Sequence, residues 1–159
     1  QVETGSIQVN LTSSELNPII NYAINANKSA AENKNIHLEV DSQNTSLNVF
    51  SDSEKTAWVI NNLISNAIRY SHENSTIFIR AKKENNQLLF SVSDAGQGIQ
   101  PQYLTKIFKR YFRIPGTKKE GTGLGLSISK EFIEAQGGKI WVDSEYGIGS
   151  TFYFTLNIG

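Results

Sequence analysis

Asn62 and Asn66 stand four residues apart in a segment, Val59 to Tyr70, that is apolar over much of its surface. On a helix this spacing puts both side chains on one face, about 6 Å apart along the axis. They flank a stripe made by Val59, Leu63 and Ala67. Asn is a mediocre helix former and costs energy when buried unpaired. Two readings stay open: structural amides with protein partners, or carbonyl oxygens turned to a hard cation. Mg²⁺ suits the second reading, because it takes oxygen ligands and commonly only one or two from protein, the rest from water and phosphate. Arg69 and Tyr70 follow at the same end of the helix, within reach of whatever the metal holds.

Asp94-Ala95-Gly96-Gln97-Gly98-Ile99 directly follows an apolar strand pattern. A carboxylate at a strand's end can accept from an exocyclic amine such as adenine's, and the glycines let backbone approach a planar ring. Ordinary turn chemistry explains the same string. Gly121-Thr122-Gly123-Leu124-Gly125-Leu126 opens a helical pattern. Backbone N–H groups at such a start, freed of side chains by Gly, make an anion site. It is not a P-loop, because Gly116 to Gly121 is followed by Thr122 rather than Lys. Nor is it the dinucleotide fingerprint, which needs Gly where Leu126 stands and a strand leading in. Between Asp94 and Glu120 there is no acidic residue, but there are Lys106, Lys109, Arg110, Arg113, Lys118 and Lys119. A solvated basic loop is the plain reading. Beside a glycine anion site, in a chain of net charge +0, a one-sign block more naturally faces polyphosphate. Phe108, Tyr111 and Phe112 lie among these cations and could pin the segment to the core when ligand is bound.

The rest of the chain must position these residues. At 159 residues it is one domain's worth. It has no Cys and only two His, His37 and His72, which excludes thiolate zinc, a Cys nucleophile and multi-His metal chemistry. Zero net charge argues against bulk capture of nucleic acid or an anionic membrane. No apolar run approaches the roughly 18–20 residues that span a bilayer, and no signal peptide is visible. The chain starts at Gln1 and contains no Met, so a piece of a longer protein is expected.

Alternation predicts strands at Ile7–Leu11, Ile36–Asp41, Leu47–Phe50, Thr76–Lys83, Gln87–Ser93, Ile140–Val142 and Thr151–Leu156. Helices are expected from Ser13 or Ser14 to about Glu32, with an apolar stripe of Leu16, Ile19, Ile20, Ala23 and Ala30. Two more are expected, from Ser51–Glu54 through Tyr70 and from Leu124 to Ala135, the last ended by Gly137-Gly138. Asn85-Asn86 reads as a tight hairpin. Gly96 to Gly123 is too long for a passive loop, with one short helical piece near Pro101–Ile107. Most strands have one apolar face, as in Ile77, Ile79 and Ala81. The expected fold is therefore an α/β (α+β) two-layer sandwich: a mixed, mostly antiparallel sheet with about three main helices on one face.

With these segments in order, the chain resembles the catalytic ATP-binding domain of sensor histidine kinases, in the Bergerat-fold (GHKL) superfamily. Asn62-x-x-x-Asn66 with Arg69-Tyr70 is similar to the N box, and Asp94-x-Gly96-x-Gly98 to the G1 box. Ile107 to Arg113 is similar to the F box, Gly121-x-Gly123-x-Gly125 to the G2 box, and Gly147-x-Gly149-Ser150-Thr151-Phe152 to the last hairpin. The resemblance implies one domain over residues 1–159, with a mobile ATP lid at about 96–123. It implies ATP and Mg²⁺ as cofactors. Asn66, with Asn62, would hold the metal against the triphosphate. Arg69 and Tyr70 would touch phosphate or ribose, and Asp94 would read adenine's amine. Gly96, Gly98, Ile99 and Phe108 would complete the nucleotide contacts. Arg113 would reach the γ-phosphate, sharing the catalytic work with Asn62 and Asn66. Gly121, Thr122, Gly123, Leu124 and Gly125 would wrap the phosphates.

ATPases of the superfamily carry a water-activating Glu at position 62. Asn62 cannot serve as a general base near neutral pH, so the phosphoryl group is expected to go to a protein acceptor. His37 on a strand's polar face and His72 in a turn both read as surface residues. The resemblance thus places a dimerisation and phosphoacceptor helical domain before Gln1. It also implies a response regulator as partner, no nucleic acid, a cytoplasmic setting, a monomeric isolated domain and a homodimeric parent. A non-catalytic nucleotide-binding module of the same fold is the alternative. A serine/threonine kinase of the superfamily fits less well, since Asn62 lacks the carboxylate those kinases use.

Overall fold

The structure, a computed structural model, describes residues 7–42, 47–115 and 124–158, with nothing of the Ser42 side chain. The main sheet has five strands in the order β2-β4-β5-β7-β6, where β2 is His37–Ser42, β4 Thr76–Glu84, β5 Gln87–Asp94, β6 Ile140–Glu145 and β7 Gly149–Asn157. β2 and β4 are parallel and the other pairs antiparallel. The parallel pair needs a crossover, which the long helix α3 (Ser53–Tyr70) supplies. β4 and β5 are joined by Asn85 and Asn86 at φ 53° and 62°, the mirror-image turn that matches strand twist.

The helices α1 (Leu16–Ala26), α2 (Lys28–Asn33), α3 and α4 (Gly125–Ala135) form the second layer. Ile77, Ile79, Phe90 and Phe154 on the sheet and Val59, Ile60, Leu63 and Ile64 on α3 share the buried core. Phe90 stacks on Phe154 at 4.9 Å. Phe78 and Trp141 on the opposite face stay partly exposed.

Both ends of α3 are tied down. At its start Asp52 accepts from Lys55 N (3.2 Å) and from Asn10 N (3.0 Å), while its own N–H donates to Gln136 Oε1 (2.7 Å). Burial alone would push the Asp52 carboxyl up. The N–H groups of Asn10 and Lys55 and the Lys55 ammonium overcome that, and the group sits below the usual range. At its end Lys34 Nζ donates to the carbonyls of Ile68 (2.8 Å), Arg69 (3.3 Å) and Ser71 (2.7 Å), a cation on the negative end of the helix.

Three expectations need correction. Residues 7–11 form no strand; β1 is Thr12–Glu15, because the Asn10 N–H goes to the Asp52 carboxylate rather than into a ladder. The first helix starts at Leu16 and breaks at Asn27, whose buried side chain donates to Ala23 O (2.8 Å) and Asn61 Oδ1 (2.7 Å). Such bonds compete with helical backbone. The break shifts the phase, so Ala31 is buried and Ala30 exposed. β3, Asn48–Ser51, leaves the main sheet and pairs with β1 as a separate two-stranded ribbon.

Candidate functional site

A cleft of about 430 Å³ opens between α3, the end of β5, the irregular segment after it and the start of α4. Its walls bring together Asn62, Asn66, Arg69, Tyr70, Asp94, Gly98, Ile99, Arg113, Leu124 and Gly125. Two expected residues stand behind the wall. Gly96 donates its N–H to Asp94 Oδ1 (2.9 Å), and a Cβ there would overlap the Tyr70 carbonyl. Phe108 packs edge-on to Phe152 at 6.2 Å, with Lys130 Nζ 6.0 Å from its ring centre. Gly121, Thr122 and Gly123 lie outside the described residues.

The α3 spacing works as expected, with both Asn side chains on the cleft face. Ser129 Oγ donates to Asn62 Oδ1 (3.3 Å), and the Asn62 carboxamide lies against Gly125, where a Cβ would collide with it. Arg69 Nη1 donates to Asn66 Oδ1 (2.9 Å). Each amide thus has a protein partner and keeps a second lone pair. Two such oxygens fit Mg²⁺ that takes its remaining ligands from water and phosphate. Among the described residues no group of three or more Asp, Glu or His could hold a metal alone.

Asp94 ends the central strand. Burial pushes its carboxyl above the ordinary value, against the N–H groups of Gly96 and Ser150 and the charge of His72. The turn after it is clamped by the β6–β7 hairpin. Gly147 N donates to Gln97 O (2.6 Å) and Ile99 N to Ser144 Oγ (2.7 Å). Gly98 has φ 75°, and its backbone lies so close to the Glu145 carbonyl that no side chain fits. The basic block divides. Arg113 lines the cleft, whereas Arg110 pairs with Glu131 Oε2 on α4 (2.8 Å).

Trp58, Gln97, Ile107, Phe112, Ile114, Leu126, Ile128, Ser150 and Phe152 also line the cleft and were not expected there. Trp58 lies one turn before Asn62, so helical spacing could have found it. Ser150 is the register partner of Asp94, which only the strand pairing reveals.

A carboxylate, two amides, an arginine and a glycine-opened helix lining one cleft suit a purine polyphosphate. The chain belongs to the family of histidine kinase-, DNA gyrase B-, and HSP90-like ATPases, whose family model matches residues 51–159. Within it the fold is that of the histidine kinase catalytic domain. The nucleotide-free catalytic domain of histidine kinase ThkA superposes with a TM-score of 0.85 at 31% identity, over 94% of this chain and 97% of that one. Sensor histidine kinase WalK of Bacillus subtilis (strain 168) is 43% identical over 110 residues, 66% of this chain and 18% of the relative. Sensor protein kinase WalK of Staphylococcus haemolyticus is 32% identical over 161 residues, 98% of this chain and 26% of the relative. The chain spans between 15% and 30% of the length of the first curated relatives it matches. No helix among the described residues is long and apolar enough to cross a membrane.

Proposed function

We propose that this domain, residues 1–159 with a lid at about 96–123, binds Mg·ATP in the cleft. It donates the γ-phosphoryl group to a histidine on a separate helical dimerisation domain of a two-component sensor kinase. The observation that carries the reading is that the Asn62–Asn66 face of α3 and the Asp94 carboxylate line one cleft. Asp94 accepts from the adenine amine. Arg69, Tyr70 and Arg113 meet ribose and phosphates, and Gly121 to Gly125 wrap them. Asn66, with Asn62, holds Mg²⁺, which when bound offsets phosphate charge and orients the chain of phosphates.

Asn62 cannot deprotonate water, which favours a protein nucleophile. The acceptor imidazole nitrogen bonds to the γ-phosphorus as the bond to the bridging oxygen breaks, and ADP leaves with the electron pair. Positioning and charge neutralisation suffice for such a transfer. Solved relatives support the reading. Full-length ShkA, at 23% identity and TM-score 0.85, was solved with AMPPNP, and ThkA with response regulator TrrA. A response regulator is accordingly the second partner, in a cytoplasmic, homodimeric parent whose catalytic domain alone is monomeric.

Mixing the domain with its cognate histidine domain and radiolabelled ATP tests this. Acid-labile label on the histidine domain is expected, and its absence would leave only a nucleotide-binding module. Calorimetry adds a second check. Asn66→Ala should weaken Mg·ATP binding by about 10–100-fold and leave metal-free nucleotide binding nearly unchanged. Equal Mg·ATP affinity in both proteins removes Asn66 from the metal site.

A further inference from the structure

Gln136, Phe132 and Ser129 are spaced four and three residues apart, so they share one face of α4. Each meets α3. Gln136 Oε1 accepts from the Asp52 N–H just before α3 (2.7 Å) and from Thr56 Oγ1 (3.4 Å). Phe132 packs edge-on against Trp58, with ring centres 5.4 Å apart. Ser129 Oγ donates to Asn62 Oδ1 at 3.3 Å. The last of these contacts ends on a side chain read above as a metal ligand.

Ser129 is fully buried, and its hydroxyl has a single hydrogen. A helical Ser commonly gives that hydrogen to a carbonyl in its own preceding turn. Ser127 does so, to Leu124 O at 3.0 Å. Ser129 sends its hydrogen to the other helix instead. Asn62 Oδ1 accepts it and keeps a second lone pair, while the nitrogen side of the same carboxamide lies toward Gly125. The two ends of a carboxamide differ in sense: the oxygen attracts a cation and the NH₂ group repels one. A half-turn about the last side-chain bond would exchange them, and the Ser129 hydrogen favours the oxygen where it stands.

We infer that Ser129 is a positioning residue: from α4 it holds the Asn62 carboxamide in the orientation that Mg²⁺ requires. The inference rests on the metal reading of Asn62 above and goes beyond it, because Ser129 is not among the residues lining the cleft and acts only through Asn62. Partners behind a metal ligand fix its orientation, and losing one commonly weakens metal binding about 10–100-fold. In Ser129→Ala the carboxamide turns freely, and the ordering that Ser129 supplies in advance is then a cost met on binding. The contact also joins the metal face of α3 to the helix that Gly125 opens, so the two walls of the cleft are set by one bond.

The test is calorimetric binding of ATP to the 159-residue chain, once with Mg²⁺ and once with a chelator. The gain in affinity that Mg²⁺ brings should fall about tenfold in Ser129→Ala, with metal-free ATP binding unchanged. Asn62→Ala should lose the gain as well, and adding Ser129→Ala to it should change nothing further. A merely structural role for Ser129 would weaken ATP binding equally with and without metal, and that result overturns the inference. So does a further loss in the double variant, which would mean that Ser129 acts by another route. If Ser129→Ala does not fold, Ser129→Cys decides, since it keeps a side chain of similar size with a weak donor; a wild-type Mg²⁺ gain there overturns the inference. A wild-type gain in Asn62→Ala overturns the metal reading of Asn62 and this inference with it, while ATP binding in the cleft stands.

Discussion

Asp94→Asn should weaken nucleotide binding and stabilise the empty domain. The substitution keeps the shape and an oxygen to accept the Gly96 N–H, now 2.9 Å away, but removes the charge. A hydrogen bond to a charged acceptor contributes about 1.5–3 kcal/mol and a neutral one about 0.5–1.5 kcal/mol. The difference, about 1–2 kcal/mol, corresponds to a Kd for ATP raised roughly 5–30-fold. Stability moves the other way. Burial holds the folded Asp94 carboxyl above its unfolded value. From that unfolded value, about 3.9, up to the folded one, the native state binds the extra proton, and stability falls as pH rises. Above the window the desolvated charge is a burden that Asn lacks. Urea unfolding at about pH 8 should therefore show a higher midpoint for Asp94→Asn, and at about pH 2.5, well below the unfolded value, the gain should vanish. A variant that binds ATP like wild type, or one equally destabilised at both pH values, would refute the reasoning.

Asp52→Ala removes the cap of α3 and strands the N–H groups of Asn10 and Lys55. It should cost about 2 kcal/mol, or roughly 4–8 °C in Tm. Because the Asp52 carboxyl is held low, its contribution is present above the unfolded value and lost as pH falls through the folded one, so thermal melts of wild type and variant should converge in acid. Gly98→Ala must take φ 75° and meet the Glu145 backbone, so it should unfold at clearly lower urea than wild type. Gly125→Ala meets the movable end of the Asn62 side chain rather than backbone. It should stay folded by circular dichroism yet lose most phosphotransfer, as Asn62 is pushed aside.

Local pattern foretold what local physics decides. The alternation of β4, the paired Asn of its hairpin and the Asp52 cap need only neighbours in the chain. The break at Asn27 was hidden because its partner, Asn61, is 34 residues away. The departure of β3 from the main sheet is likewise a pairing choice between distant segments. In the cleft, Asn62, Asn66 and Asp94 stand out by type and spacing. Ser150 is an ordinary residue in an ordinary hairpin, and only strand register brings it beside Asp94 in the cleft wall. Arg110 and Arg113 look alike in the string, yet Glu131 claims the first.

β5 is the middle strand of five, bonded along both edges, and Asp94 is its last residue. Arg113, by contrast, is exposed and comes from a stretch with no repeating structure. In the order of local opening, central strands yield last and irregular surface segments first. A nucleotide in this cleft would be gripped asymmetrically, by a stiff anvil under the base and a yielding clasp at the phosphates. Departure would then begin at the tail, with the ring last to let go, and exchange of spent for fresh nucleotide would not require the sheet to move.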